Sequence, residues 1–418
     1  MLTRLHPLWG DEGKGTIWLT AGIATTFVFG LALQVLGLHR LSTGEYATFV
    51  FALGIGNVAN AIAAAIQPVI ATRSATGNQT FLPAPPGILI GGVAILMILA
   101  VGTLGRSVGA LTALAAISQI PLHAVVAVGH GRLQARRAFA RLAIGLGVWS
   151  IARILIVVVV MMSGSTPASA FIFALPAALL IELALLIGLG AYHGIRWQPA
   201  TDSQQLLSHY ALWALFAWIV NGDAIYARLF LSAADAGKYA IAITLGRQPI
   251  YAVAPLAIVL LPVTLRDDAK GQRRRLYAIL MTSLLLVVGT WLVLGVRPQL
   301  LVDFLAGTSG RADTVLIRGY AILGSLTAAA TLLLTFAFAL RHAPRTFALG
   351  VTVVVYFCVA AAFVRDPRQL LCFQLLAVGP LVIHWTYLGM RATARASRRP
   401  QSSEASVVQN RAISSSLL

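Results

Sequence analysis

The chain has 418 residues, of which 58% are hydrophobic and 11% charged, whereas an ordinary soluble domain has about 25% charged residues. With a mean hydropathy of +0.84, it has too few polar residues to cover a water-soluble fold, and this excludes a soluble enzyme. A net charge of +18 would indicate nucleic-acid binding in a soluble protein, but here the basic residues lie between apolar runs, as in membrane-protein loops.

The chain begins with a polar segment, GDEGKGT at residues 10–16, which resembles the nucleotide-binding signature of adenylosuccinate synthetase. A phosphate loop of this kind joins a strand to a helix. Only nine residues precede Gly10 here, and Thr16 leads directly into an apolar run. We therefore interpret the segment as a polar, cytoplasmic lead-in to a membrane helix and not as a nucleotide site.

Twelve apolar runs of 18–26 residues follow, and each is long enough to cross a hydrocarbon core of about 30 Å as a helix. Strands of a membrane barrel would instead alternate in character over about ten residues. The sequence therefore predicts an all-α polytopic membrane protein. The predicted spans are residues 17–38, 46–70, 87–104, 107–129, 142–162, 170–191, 210–231, 238–263, 276–296, 316–340, 346–364 and 371–390.

The Lys and Arg residues predict the orientation of these spans. With the N-terminus inside, the inner segments hold 20 of them and the outer segments nine, which agrees with the rule that cytoplasmic loops are basic. We expect a multi-pass protein of the cytoplasmic membrane with both termini in the cytoplasm. Residues 391–418 are rich in Ser and Arg without an apolar period, so we expect a disordered tail.

A repeat divides the chain into halves. LSTGEYA at residues 41–47 recurs as LSAADAGKYA at residues 231–240, which pairs Gly44 with Gly237 and Tyr46 with Tyr239. The offset of about 193 residues also pairs QPVIATR at 67–73 with LPVTLR at 261–266. Duplicated halves around a central cavity are typical of transporters. We predict two six-helix lobes, at residues 1–200 and 201–390.

Three stretches, at residues 39–75, 131–160 and 221–266, resemble the multidrug/oligosaccharidyl-lipid/polysaccharide exporter superfamily, and within it the bacterial polysaccharide-biosynthesis flippases. The resemblance implies a V-shaped bundle that alternates between inward-open and outward-open states. It also implies a substrate, a polyprenyl-pyrophosphate-linked oligosaccharide that is moved to the outer leaflet for surface polysaccharide biosynthesis. Cationic side chains in the cavity would offset the cost of moving its phosphates.

Arginines within spans are the first candidates for contact with such a substrate, because a charge at that depth needs a cavity or a partner. Arg153 in span 5 is predicted to bind the anionic head group, or else to pair with Glu182 of span 6 or to snorkel to an interface. Arg247 in span 8 is predicted to contact phosphate, or else to form a salt bridge with Asp223.

The remaining candidates are polar residues of spans 2 and 7. Asp223 either pairs with Arg247 or Arg228 or couples transport to an ion, and Glu182 belongs to the same class of buried carboxylates. Arg228 is included among the substrate-binding candidates. Asn57, Asn60 and Gln67 lie on a similar helix face and would bind sugar hydroxyls, unless they make hydrogen bonds between helices.

Two other functions remain open at this stage. The first is a cation-coupled drug or metabolite antiporter of the same superfamily, and the second is a non-transporting scaffold of a polysaccharide-assembly complex. The spans are richer in Arg than in carboxylates, which favours an anionic substrate. We find no paired carboxylates and no metal-site spacing among the Cys and His residues, so we predict no enzyme, metal or cofactor. The expected partners are membrane lipid, the lipid-linked glycan and polysaccharide-assembly proteins, and not nucleic acid.

Overall fold

The structure is a computed structural model. It describes residues 11–75, 80–82, 86–164, 166–199, 203–251, 269–299, 302–303, 313–339 and 362–398, with single positions at 253, 256, 260, 264, 350, 351, 355 and 358.

Eleven α-helices account for nearly all of the described residues, and eight segments are long and apolar enough to cross a membrane. The helices are α1 (Asp11–Arg40), α2 (Thr43–Ala75), α3 (Pro86–Val108), α4 (Ala110–Ala135), α5 (Phe139–Met162), α6 (Pro167–Gly188), α7 (Ser203–Phe230), α8 (Ala233–Gly246), α9 (Ala269–Thr290), which a π-helical turn (Trp291–Gly295) continues, α10 (Thr314–Ala339) and α11 (Pro367–Arg398).

The prediction of a helical polytopic membrane protein is confirmed, and the predicted spans can be located on these helices. Spans 1–7, 9, 10 and 12 each coincide with one helix, which in most cases extends the span by a few residues. Span 8 begins with α8, which ends at Gly246, so that Arg247 lies at a break in the helix. Most of span 11 lies outside the described residues.

Connections expected on one side of the membrane meet in the structure. Strand β1 (Thr80–Leu82), between α2 and α3, pairs in parallel with β2 (Arg196–Pro199), between α6 and α7. At the same end Arg136, just after α4, and Arg141, in the first turn of α5, donate to the carbonyls of Gly190 and Leu189, which directly follow α6. Arginines suit this position because they satisfy carbonyls that the helix leaves free. The short strand pair itself was not predicted.

The opposite end of the bundle holds the repeated segments. Ser42 and Glu45 cap α2, with the Ser42 hydroxyl donating to the carboxylate at 2.7 Å, and Ser232 caps α8 in the same way through Asp235 at 2.8 Å. In return the amide of Glu45 donates to the Ser42 hydroxyl at 3.4 Å, and that of Asp235 donates to the Ser232 hydroxyl at 3.2 Å, so each cap satisfies an amide that the first helical turn leaves unpaired. Gly237 of α8 packs against α2 so closely that a Cβ would lie 2.7 Å from the carbonyl oxygen of Thr43.

Two expectations about the ends of the chain can be compared with the structure. Helix α1 begins at Asp11, and Gly15 packs against the ring of Phe139, so residues 11–16 form a helical turn and not a phosphate loop. The expected start of the tail at residue 391 is wrong, because α11 continues to Arg398. Ala and Arg favour helix, and Thr393 is buried with its hydroxyl bonded to the Gly389 carbonyl at 3.0 Å. Residues 399–418 lie outside the described residues.

Candidate functional site

A polar cavity lies within residues 1–200, the part of the chain that is predicted to form the first lobe. It is narrow, with about 10 Å³ of free space, and it is bounded by α2, α4, α5 and α6. The lining residues are Leu53, Gly56, Asn57, Asn60, Gln119, His123, Trp149, Arg153 and Leu175. These helices present apolar side chains such as Leu155 and Ile181 on their exposed faces, whereas their polar residues face one another inside.

Arg153 is the one strong positive charge of this cavity. Its side chain is buried, and the guanidinium carbon lies 3.9 Å from the centre of the Trp149 ring. Among the described residues it forms no ion pair, and its Nε has no hydrogen-bond partner. The expected alternative, a pair with Glu182, is wrong, because Glu182 accepts a hydrogen bond from His130 instead. The face of the Trp149 ring is the contact that stabilises the cation directly.

Residues of α4 form the cavity wall next to Trp149 and pack against its ring. The ring of His123 meets that of Trp149 edge-on, with centroids 5.8 Å apart. One turn earlier, Gln119 donates to the carbonyl of Ala52 at 3.1 Å and so ties α4 to α2. Gly56 leaves room for this carboxamide, since a Cβ there would overlap its oxygen. The wall is therefore a packed arrangement and not a loose pore lining.

A second cavity of similar size lies where α1 and α2 meet α8, between the two predicted lobes. Its lining comes from α1, α2 and α8 and from the segment after α8, namely Gln34, Val50, Leu53, Asn57, Ile243, Thr244, Arg247 and Tyr251. Leu53 and Asn57 line both cavities. At its edge the Tyr46 hydroxyl lies 2.6 Å from that of Thr244 and joins the lobes. The two cavities are thus neighbours across the middle of α2.

Arg247 differs from Arg153 because it has a carboxylate partner. Its guanidinium forms an ion pair with Asp223 of α7, and it also donates to the Val220 carbonyl at 3.0 Å. Asp223 is fully buried and receives the backbone amide of Ala224 at 2.8 Å and the Tyr239 hydroxyl at 3.4 Å. Of the partners that were considered for Asp223, the structure selects Arg247. The pair is close to neutral as a unit.

Two predicted substrate residues lie outside both cavities. Arg228 donates to the Thr48 hydroxyl at 2.8 Å and to the Ser107 carbonyl at 3.4 Å, where α7 meets the first lobe. Gln67 of α2 donates to Gln134 of α4 at 3.1 Å. It therefore makes a hydrogen bond between helices, which was the alternative to sugar binding. Asn57, Asn60, Arg153 and Arg247 are the predicted residues that the cavities bring together.

Several cavity residues were not singled out from the sequence. Gln119 and His123 lie four residues apart on α4, as do Trp149 and Arg153 on α5, so each pair shares a helix face. Pro121 lies between Gln119 and His123 within α4. In the sequence, pairs of polar or aromatic residues spaced four apart, one of them flanking a proline inside a helix, could have been used to predict the cavity wall.

A buried pair of titratable residues lies in the same lobe. The Nε2 of His130 on α4 is 2.9 Å from Oε1 of Glu182 on α6, and both side chains are less than a tenth exposed. Within the described residues, no group of three His, Cys, Asp or Glu side chains is placed to hold a metal ion.

Comparison with known proteins places the fold. No family model matches the chain, and no curated protein is similar to it in sequence. Solved structures are similar at 11–15% identity. An inward-facing multidrug resistance MATE transporter of the MOP superfamily has a TM-score of 0.62, with 92% of this chain and 99% of that chain covered, at 11% identity. The Vibrio cholerae MATE transporter VcmN in its bent form has a TM-score of 0.59, with 96% and 99% covered, at 15% identity.

A third similar structure is a MOP superfamily transporter from Pyrococcus furiosus, whose described feature is a binding pocket of reverse polarity that suggests a different function. It has a TM-score of 0.57 at 14% identity, with 93% of this chain and 96% of that chain covered. At these identities the likeness concerns the fold, and the chain has the fold of the MATE transporters of the MOP superfamily.

Proposed function

We propose that the protein is a transporter that moves an anionic lipid-linked glycan across the cytoplasmic membrane by alternating access, for surface polysaccharide biosynthesis. The substrate class is a polyprenyl-pyrophosphate-linked oligosaccharide or a similar anionic glycolipid. One observation carries the proposal: Arg153 is buried in a polar cavity without a carboxylate partner among the described residues. A buried charge without a counter-ion is costly, and an anionic ligand would supply the missing partner.

The residues around Arg153 suit a phosphorylated sugar. The indole Nε1 of Trp149 is buried without a hydrogen-bond partner, so it is a second donor beside the guanidinium. Asn57 and Asn60 offer carboxamides to the same cavity, and carboxamides bond sugar hydroxyls as donors and acceptors. Charge-assisted bonds to phosphate are about twice as strong as neutral ones. The lipid tail would remain in the bilayer while the head group uses these residues.

The small size of the cavities indicates that the protein must change conformation to admit the substrate. Each has only about 10 Å³ of free space, enough for about one water molecule, whereas sites for drug-sized ligands have about 300–1,000 Å³. An oligosaccharide would fit only after the lobes separate along α2, where Leu53 and Asn57 belong to both cavities. Rocking of one helical bundle against the other around a central site is how duplicated transporters work.

A cation-coupled antiporter is the second candidate, since a similar structure is described as a multidrug resistance transporter. Coupling to a cation requires a carboxylate that can exchange it within the membrane. Asp223 is fully buried and already paired with Arg247, which makes it less suitable for this role. The polarity of the first cavity favours an anion.

The test compares two arginines. Arg153→Gln removes the cavity charge, and Arg106→Gln removes an exposed charge outside both cavities. With farnesyl diphosphate as the probe and purified protein in detergent, we expect the first variant to lose about 10-fold or more in affinity, the value of one charged hydrogen bond. Arg106→Gln should bind as the wild type does.

The cellular readout uses the same variants. Cells that carry Arg153→Gln should lose surface glycan and retain lipid-linked precursor in the inner leaflet, although the protein reaches the membrane. A scaffold would keep surface glycan with this variant. Normal glycan and unchanged diphosphate affinity in Arg153→Gln would contradict the proposed function.

A further inference from the structure

The His130–Glu182 pair is chemically distinctive within the first lobe. Glu182 is the only acidic residue between residues 46 and 201, and its side chain is 2% exposed. The side chain of His130 is 9% exposed and donates toward its Oε1 at 2.9 Å. A carboxylate at this depth in a membrane protein is expensive, and neither anion binding at Arg153 nor packing of apolar helices requires one.

The surroundings isolate the pair but leave it in the electrostatic range of the cavity. On α5, Gly145 lies directly over it, where a Cβ would be 3.5 Å from His130 Nε2 and 3.6 Å from Glu182 Oε1. Arg153 lies eight residues beyond Gly145 on the same helix, which is about 12 Å at 1.5 Å per residue, and charges are screened only weakly inside a protein at this distance.

Few other charged or titratable groups face the His130–Glu182 pair among the described residues. His123 lies two turns from His130 on α4 and lines the cavity together with Arg153. Arg132 of α4 directs its guanidinium away, to the carbonyl of His193. Helix α2 has no charged residue between Glu45 and Arg73. Glu182 is therefore the one carboxylate of the lobe interior, and its charge opposes that of Arg153.

We propose that the His130–Glu182 pair is a proton-binding site linked to the anion site at Arg153, so that the first lobe takes up a proton when the anion binds. This inference rests on the proposed function, because the anion site is part of it. The proton enters at Nδ1 of His130, since Nε2–H is already engaged with Glu182. No other bond is made or broken.

The linkage follows from the charges. Before protonation the pair carries one negative charge, which attracts the Arg153 guanidinium and competes with an incoming anion. After protonation the pair is neutral, and Arg153 binds the anion more tightly. Because binding free energies are reciprocal, the bound anion favours proton uptake to the same degree. Histidine is the side chain suited to such a change between pH 5 and 8.

The test measures the affinity of purified protein for 1-octanesulfonate, an amphiphilic anion whose charge is constant from pH 5.5 to 8. Calorimetry in buffers of different ionisation enthalpy also counts the protons taken up. For the wild type we expect affinity to rise by about fivefold or more from pH 8 to pH 5.5, with net proton uptake of up to about one per anion.

Two variants should each bind the sulfonate with an affinity that does not depend on pH, one at the high wild-type limit and the other at the low limit. Glu182→Gln removes the negative charge, so its affinity should equal the wild-type value at pH 5.5 throughout. His130→Gln keeps a donor for Glu182 but cannot take up the proton, so its affinity should equal the wild-type value at pH 8 throughout. Glu45→Gln, which changes the exposed carboxylate that caps α2, is the control and should retain the wild-type pH dependence.

The outcomes separate this inference from the proposed function. If both variants keep the wild-type pH dependence while Arg153→Gln abolishes binding, the proton site is refuted and the anion site stands. If the wild type does not bind the sulfonate at any pH, both proposals fail. A purely structural pair would lower the thermal stability of both variants and would not place their affinities at opposite limits.

Discussion

At the scale of residues, Arg153 and Arg247 look alike in the sequence, since each lies in an apolar span with a carboxylate available one span away. The structure separates them, because Asp223 reaches Arg247 while Glu182 turns to His130. Composition and depth were enough to predict that both arginines face a cavity. The choice of partner depends on how neighbouring helices are rotated, and no local pattern records that rotation.

The Asp223–Arg247 pair leads to a stability prediction. Asp223→Asn leaves Arg247 buried without its counter-charge, and breaking a buried pair from one side costs about 3–5 kcal/mol. We expect a clear drop in the thermal unfolding temperature in detergent. The double variant Asp223→Asn/Arg247→Gln should recover most of the loss, because it leaves no lone charge. Equal stability of Asp223→Asn and wild type would show that the pair contributes nothing to the fold.

At the scale of elements, the repeat in the sequence predicted that the starts of α2 and α8 are equivalent. The structure shows the same serine cap on both helices, Ser42 on Glu45 and Ser232 on Asp235. A serine followed three residues later by a carboxylate, at the start of each apolar run, is a sequence pattern that predicts a helix N-cap. The contact between the two caps could not be predicted from the sequence. Gly44 and Gly237 are equivalent in the repeat, but Gly44 faces Ala233 whereas Gly237 faces Thr43.

Alanine substitutions at these glycines should therefore have opposite effects. A Cβ at Gly237 would lie 2.7 Å from the Thr43 carbonyl oxygen, and such overpacking costs about 1–3 kcal/mol. A Cβ at Gly44 would lie 3.5 Å from that of Ala233, which is an ordinary contact, and a helix gains up to about 1 kcal/mol from Gly to Ala. Thermal unfolding should show Gly237→Ala destabilised and Gly44→Ala unchanged or stabilised. Equal effects would refute the asymmetry.

At the scale of the whole molecule, spans of about 20 apolar residues predicted most of the helices, because the bilayer imposes their length. Basic connections predicted which helix ends share a side, as the Arg136 and Arg141 contacts with the end of α6 illustrate. The cavities were not predictable in detail, since they depend on which faces of α2, α4 and α5 turn inward. The hydrogen bond between Arg228 and Thr48 joins the lobes near the ends of α2 and α8 that carry the serine caps.

A disulfide tests whether these ends separate during transport. The Cβ atoms of residues 44 and 233 would be 3.5 Å apart, at the short end of the disulfide range. In a background with Cys358 and Cys372 replaced by Ser, Gly44→Cys/Ala233→Cys should cross-link on oxidation. We expect oxidation to stop substrate movement and reduction to restore it, with either single variant as control. Full transport by the cross-linked protein would contradict alternating access.

The pairing of β1 with β2 has a mechanical consequence. Strand β2 belongs to the connection between the sixth and seventh helices, the only covalent link between the lobes, and β1 fastens that link to the first lobe. A connection tethered in this way cannot act along its full length as a flexible joint. If the two predicted lobes move apart, β2 should therefore move together with β1 and the first six helices.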